Sequence, residues 1–308
     1  MESLQNIKRH IRGVKNINQI TKAMELVAAT KMRRSQEIAL ASRPYAFAAL
    51  DFLANLSRLE GTSLPPLLQK RESTHSTSSG STPKTGLRTA IVVVTSDKGL
   101  AGAFNSAVLR DLEKFLKARK VDLHDPAFSF IGVGQKAVNY LERRTGRVLK
   151  KFVRFGDYTT LTEVEPLATL LVSGYLKGEW DKVLVFSTHF KSTLRQEVLR
   201  REILPVDFEN LKAIARETIP ETGRFAELRK ENEFSVLNGA ATATKEYLIE
   251  PSPEAVLHDL AAHLVRMEIY HLVLEANASE HAARRVAMKN ASDNANELAG
   301  ALSVAYNK

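Results

Sequence analysis

The sequence predicts an α/β protein in which the N- and C-terminal helices pair as a long antiparallel coiled coil and carry a central layer of parallel strands and helices. Three observations predict this. From Glu254 to Lys308 the chain has no proline and only one glycine, Gly300, while apolar residues recur at steps of three and four. A second seam of that kind opens the chain, with the opposite charge bias. Between residues 88 and 204, buried-strand patterns alternate with helix patterns, which implies parallel pairing through right-handed crossovers.

Taken in order, Leu4, Ile7, Ile11, Val14, Ile17, Ile20, Met24 and Val27 mark an amphipathic helix, with Ser3 as its N-cap. Its polar face is basic: Lys8, Arg9, Arg12, Lys15, Lys22, Lys31, Arg33 and Arg34 stand against Glu2 and Glu25. Pro44 is expected to kink or break the helix, because a proline pushes the preceding residue out of the α region. The apolar pattern then resumes at Tyr45, Phe47, Leu50, Leu53 and Leu56. The shaft segments are thus 1–58 and 252–308. Residues 59–87 form a polar linker whose Ser/Thr-rich run, His75 to Pro83, cannot bury a core and is expected to be mobile.

The central domain, 88–204, begins with a buried strand, Thr89 to Thr95, followed by a helix from Phe104 to Lys117. Further strands are expected at Phe128–Val133, Val148–Phe155 and Lys182–Thr188, with helices at Gln135–Arg143 and Glu163–Leu176 and an edge strand at Glu197–Leu204. The result is a Rossmann-like layer. Residues 205–251 read as an irregular connection.

In the C-terminal helix, Leu257, Leu260, Leu264, Met267, His271, Leu274, Ala278 and His281 form a narrow seam. Met288, Ala291, Ala295, Leu298, Leu302 and Ala305 resume it after a small register shift. One helix of this length spans about 85 Å at roughly 1.5 Å per residue, far more than a single domain needs, so most of it must lie against a partner helix. It leans acidic, through Glu254, Asp259, Glu268, Glu275, Glu280, Asp293 and Glu297, which suits antiparallel pairing with the basic first helix.

Composition excludes several classes. The chain of 308 residues is 44% hydrophobic and 26% charged, and no apolar run is long enough to span a bilayer, so no direct transmembrane insertion is expected. The absence of cysteine removes disulfides and thiolate metal sites. The start carries no signal-peptide apolar region, and its basic character belongs to a helical seam rather than to a transit peptide. The net charge of +9 invites nucleic acid, an anionic membrane or an acidic protein partner.

Two local motifs suggest chemistry. Thr95-Ser-Asp-Lys-Gly-Leu-Ala-Gly-Ala-Phe-Asn105 follows the first strand and opens a helix, where a phosphate would sit in a nucleotide-binding fold. Gly99 and Gly102 lack the third glycine of the dinucleotide fingerprint, and no Walker lysine follows, so a tight strand-to-helix turn is the default reading. Glu268-x-x-His271 has the spacing of half a di-metal site. Its only second copy, Glu72-x-x-His75, lies in the polar linker, so His271 reads as a seam residue. No nucleophile elbow or Cys–His pair is present. No catalytic residue, cofactor or metal is expected.

Three blocks carry a resemblance. They are Ile20-Thr-Lys-Ala-Met-Glu-Leu-Val-Ala-Ala-Thr-Lys-Met-Arg-Arg34, the block 95–105 quoted above, and Ala278-Ser-Glu-His-Ala-Ala-Arg-Arg-Val-Ala-Met-Lys-Asn-Ala-Ser-Asp-Asn-Ala295. In order and spacing they resemble the signature blocks of the γ subunit of F-type ATP synthases, in its bacterial form. The resemblance implies a non-catalytic rotor shaft inside a ring of three α and three β subunits, with an ε subunit and the membrane c-ring at its base. Rotation driven by proton flow would take each β site through binding, synthesis and release of ATP. The expected place is peripheral, on the cytoplasmic face of the cell membrane.

By the same resemblance, Lys22 and Met24 face the β-subunit lever, with Met288, Lys289 and Asp293 near them on the opposing helix. Arg33 and Arg34 mark the shaft base, and Tyr247 and Glu250 are foot residues toward the c-ring. Members of the family usually continue past Tyr306 with the shaft's tip; either the chain is short here or the sequence is incomplete, and if it ends at Lys308 the N-terminal residues Leu4, Ile7 and Ile11 are expected to lack part of their packing. The alternative class is a basic α/β nucleic-acid-binding protein with a coiled-coil dimerisation element. That reading needs exposed aromatics among the cations, whereas aromatics are 7% of the chain and fall in core patterns.

Overall fold

The computed structural model describes residues 4–41, 65–71, 87–121, 123–146, 148–207 and 249–307. The Ser3 cap, the Pro44 kink, the helical pattern of 45–56, the Ser/Thr-rich linker, Tyr247 and most of the connection 205–251 lie outside them.

Helix α1 runs from Leu4 to Ala41 and helix α5 from Pro253 to Asn307. They are antiparallel. Asn18 Nδ2 donates to the Ser292 carbonyl and also pairs with Asn296. Thr21 and Ser292 share a hydroxyl hydrogen bond of 2.7 Å, and further down Met32 packs with Ala278 and Ala282. Numbers rising along α1 therefore meet numbers falling along α5.

The seam of α1 is a heptad: Ile7, Ile11, Val14, Asn18, Thr21, Glu25, Ala28, Met32, Ser35 and Ala39 are all half-buried or buried, at alternating steps of four and three. The apolar stripe expected from sequence matches it only as far as Val14. From there Ile17, Ile20 and Val27 stand on the outside, more than half exposed. Small and polar residues replace them in the seam and let the two backbones approach closely. On α5 the narrow-stripe expectation also fails in the lower half. There Leu257, Ala261, Leu264, Val265, Ile269, Leu272, Val273 and Ala276 are buried around much of the helix, because the α/β unit covers a second face.

That unit is a five-stranded sheet in the order β3-β2-β1-β4-β5. Its strands are β1 (Thr89–Val94), β2 (Phe128–Val133), β3 (Lys150–Phe152), β4 (Lys182–Phe190) and β5 (Gln196–Leu204). β1 pairs in parallel with β2 and β4, β2 does so with β3, and β5 closes one edge as the antiparallel arm of a hairpin with β4. Strand β3 is shorter than the sequence suggests, because Arg154 turns at a positive φ of 66°. The crossover helices are α2 (Phe104–Ala118), α3 (Gln135–Thr145) and α4 (Leu161–Leu176). Helix α4 starts two residues before Glu163, where Thr160 and Glu163 close a capping box.

Helices α2 and α3 cover one face of the sheet, burying Val108, Leu112, Leu141 and Phe186. The other face packs on α4 and α5, with Ile131, Val185, Leu171 and Leu272 in one core. The shaft helix α5 is thus itself a layer of the α/β unit.

Candidate functional site

The three blocks quoted above meet in space where the sheet touches the shaft. The first comes from α1, the second from the β1–α2 loop, and the third from α5.

The loop after β1 is tied by its own side chains. Ser96 N donates to Asn105 Oδ1 at 2.9 Å, and Ser96 Oγ donates to the Lys98 carbonyl at 2.6 Å. Thr95 Oγ1 accepts from Ala137 N at 2.7 Å. Asp97 accepts from Gln135 N, at the start of α3, and from Arg154 N, each at 2.8 Å. A helix N-terminus at the carboxyl end of a parallel sheet is where a nucleotide phosphate would be held. Helix α2, which this loop opens, begins after Ala103 with no side-chain cap, whereas at the start of α3, the helix after β2, Asp97 takes that place. Gly134 is required beside it, since its φ is +85° and a Cβ would come within 2.2 Å of the Thr95 carbonyl oxygen. The glycines of the loop serve docking. The Gly99 carbonyl accepts from Arg284 at 3.1 Å, and Gly102, at φ +53°, faces Ala283 and Ala287 of α5.

Arg284 then branches. One nitrogen donates to Glu280 at 2.5 Å and the other to His281 Nδ1 at 3.3 Å. Burial, then the Arg284 guanidinium, pushes the His281 imidazole down to about 4, so it is neutral at pH 7. With Nδ1 accepting from Arg284, its proton sits on Nε2, which lies 3.8 Å from Asp157. Asp157 also takes Lys31 Nζ of α1 at 2.5 Å. Partial burial works against its charge, but the Lys31 ammonium outweighs burial and holds the carboxyl below the usual range. Behind this loop a cleft of about 320 Å3 opens, lined by Thr95, Asp97, Arg154, Asp157, Asn277 and His281 among others.

Lower on α5, Glu275 is buried between His189 Nδ1 at 2.9 Å and Arg201 at 3.3 Å. Burial pushes its carboxyl up, but His189 and Arg201 outweigh that and bring it down to about 2. Glu268, two turns away on the same face, is pushed up to about 8 by burial, with Arg201 only partly opposing. Among the described residues no group of His, Cys, Asp and Glu is arranged to hold a metal ion.

The residues singled out from sequence fall elsewhere. Lys22 is exposed and paired with Glu25 at 2.9 Å. Met24 is half-buried, and Lys289 and Asp293 are exposed at the same height of the shaft. Met288 is buried in the seam at 5% exposure. Arg33 and Arg34 are exposed and share Glu37, at 3.3 and 3.4 Å. Glu250 is exposed just before α5. Sequence reasoning assigns no role to Asp97, Asp157, His189, Arg201 or Glu275, whose partners lie far away in the chain.

The comparisons agree with this geometry. A family model described as ATP synthase matches residues 3–308. The ATP synthase gamma chain of Roseiflexus castenholzii is 35% identical over 309 residues, covering 100% of this chain and 92% of its own length. That of Geotalea daltonii is 34% identical over 308 residues, with the same coverage. Among solved structures, the central stalk and c-ring assembly of Tetrahymena thermophila mitochondrial ATP synthase has a matching chain with a TM-score of 0.58 at 24% identity. That match covers 89% of this chain and 99% of the other. A chain of the Euglena gracilis mitochondrial ATP synthase rotor matches with a TM-score of 0.57 at 18% identity, covering 99% and 96%. At those identities the two structures speak for the fold, while the full-length relatives speak for descent: a helix pair gripping an α/β unit through three signature blocks belongs to the ATP synthase gamma chain family.

Proposed function

We propose that this chain is the non-catalytic rotor shaft of a proton-driven F-type ATP synthase, turning inside three α and three β subunits and seated on an ε subunit and the membrane c-ring. The observation that carries the reading is the shape of the upper shaft. Over residues 4–30, α1 has α5 as its packing partner, while Ile17, Ile20, Leu26 and Val27 stay more than half exposed on the outside. A lone two-helix rod with an uncovered apolar outer face is unfavourable in water unless something encloses it. An asymmetric rod inside a ring also supplies the mechanism. Each face of the shaft stabilises a different conformation of the subunit it touches, and rotation passes those conformations around the ring.

The remaining assignments follow from the family. Lys22, Met24, Met288, Lys289 and Asp293 mark the height of the β lever, Arg33 and Arg34 the shaft base, and Tyr247 and Glu250 the foot toward the c-ring. Among the described residues no helix is long and apolar enough to cross a membrane, which suits a peripheral subunit on the cytoplasmic face of the cell membrane. Nucleic acid is not among the partners, and this reading calls for no bound cofactor.

The test uses the absence of cysteine. Lys114→Cys, on the exposed side of α2, gives a single labelling point for a bead on the chain assembled with the α and β subunits of its own organism. The expected result is unidirectional, ATP-driven rotation of the bead. A stable complex that hydrolyses ATP while the bead stays still would overturn the rotor assignment.

A further inference from the structure

We propose that Asp157 is a positioning residue for rotary coupling, the pin by which the α/β unit grips helix α1. The two shaft helices are held very differently. Helix α5 is a layer of the α/β unit, buried along its lower half and locked by Glu275 to His189 and Arg201. Helix α1 lies outside that core. Two polar contacts run from it to the loop after β3, and both end on residue 157: Lys31 Nζ meets the carboxylate at 2.5 Å, and Ser35 Oγ donates to the carbonyl at 3.5 Å. Among the described residues an apolar contact reinforces them, where Met32 packs in one cluster with Phe190 of β4.

The loop carrying Asp157 is built to hold still. The cleft behind it means that packing alone does not support it. Hydrogen bonds do so instead. Arg154 N donates to Asp97, Gly156 N donates to Glu163 at 3.2 Å, and Thr159 is bonded both to the Gly156 carbonyl and to Asn277 of α5. Asp97 and Glu163 at the same time cap α3 and α4. The carboxylate that takes Lys31 is therefore referenced to two helix termini of the α/β unit and to α5.

Its height on the shaft gives the pin its consequence. Between residues 18 and 28, α1 meets α5 through small and polar seam residues, among them Asn18, Thr21, Ala28 and Ser292, which interlock weakly. A twisting load on the upper shaft tends to slide one helix along the other. The cross-tie at Lys31 and Asp157 stops α1 from slipping against the α/β unit, so that both helices carry the load into the base.

This inference rests on the rotor reading above, and its test separates the two. Asp157→Ala, Asp157→Glu, Lys31→Gln and the exchanged pair Lys31→Asp with Asp157→Lys are assembled into the full enzyme in vesicles. ATP hydrolysis and proton pumping are read together. Asp157→Ala and Lys31→Gln are expected to keep hydrolysis and to pump less than half as many protons per ATP. Asp157→Glu is expected to stay close to wild type, and the exchanged pair to recover most of the loss. In the free full-length chain, hydrogen exchange over residues 31–41 should speed up about fivefold in Asp157→Ala, the size a partly exposed ion pair supports. Unchanged pumping per ATP in Asp157→Ala overturns the proposal even if exchange is faster, because the contact is then merely structural. An exchanged pair no better than the single variants overturns it as well. If wild-type vesicles do not pump at all, the rotor reading fails, and unchanged hydrogen exchange in the free chain would then sink the pin on its own.

Discussion

Glu275 and Glu268 are two acids on one face of one helix, and their surroundings drive them apart. Glu275 has a histidine and an arginine and is held down to about 2. Glu268 has little but burial and is pushed up to about 8, with Oε1 accepting no hydrogen bond among the described residues. Their contributions to stability therefore run in opposite directions with pH. An ordinary carboxyl titrates near 4.5, so the stability from Glu275 is present above that value and is lost as pH falls from 4.5 toward 2. Glu268 binds its proton more tightly in the folded chain, so its contribution is full below pH 4.5 and is lost as pH rises toward 8. At pH 7, Glu275→Gln removes the buried carboxylate that pairs with Arg201 and meets His189 Nδ1, and should cost about 3 kcal/mol. Glu268→Gln removes a proton-linked penalty and should gain about 1–2 kcal/mol at pH 8, with little change at pH 5. Urea unfolding of both variants at pH 5, 7 and 8 checks the signs. A Glu268→Gln gain that did not vary with pH would mean the acid is not protonated in the folded chain.

At the scale of elements, the α1 seam makes the sharpest claim. Ala28 is 2% exposed and sits where the helices approach closely, whereas Ile20 is 60% exposed. Ala28→Leu should overpack the seam and cost about 1–3 kcal/mol, while Ile20→Ala should shift stability by no more than about 0.5 kcal/mol. Denaturant midpoints of the free chain would show this, and the reverse order would restore the stripe expected from sequence. Hydrophobic periodicity records what is apolar, and past Val14 the apolar face is the outer one, while Asn18, Thr21 and Glu25 do the pairing. The strands carry a plainer signal. Ala90 to Val94 is a continuous apolar run because both faces of β1 are covered. The start of α4 was also written in the chain, as the Thr160 and Glu163 capping box. By contrast, the Asp157 and Asp97 contacts join residues far apart in sequence, with no periodic or local signal to mark them.

For the whole molecule, the family and the architecture were legible because both are carried by long stretches: three signature blocks and two helices running nearly the length of the shaft. The contact residues were less so, since half of each contact belongs to another chain. Met24 is the position where this can be tested. It is half-buried on α1, one turn from the seam residue Thr21 and beside Lys22, which already leans onto Glu25. In the assignment proposed above, this height of the shaft faces the β lever, which is expected to be acidic. A lysine at position 24 would keep the length and flexibility of methionine and add a cation facing that acid, free to bond because Glu25 is already taken by Lys22. Such a partly exposed pair is worth only about 1 kcal/mol, too little to block assembly. It would recur at each of the three β subunits in turn, and breaking it each time would add drag to every step. Met24→Lys is therefore expected to assemble normally, to hydrolyse ATP, and to pump fewer protons per ATP, with the defect shrinking as salt screens the pair. Met24→Leu, which adds no charge, should pump like wild type. Equal pumping by Met24→Lys and wild type at low ionic strength would place the lever at a different height on the shaft.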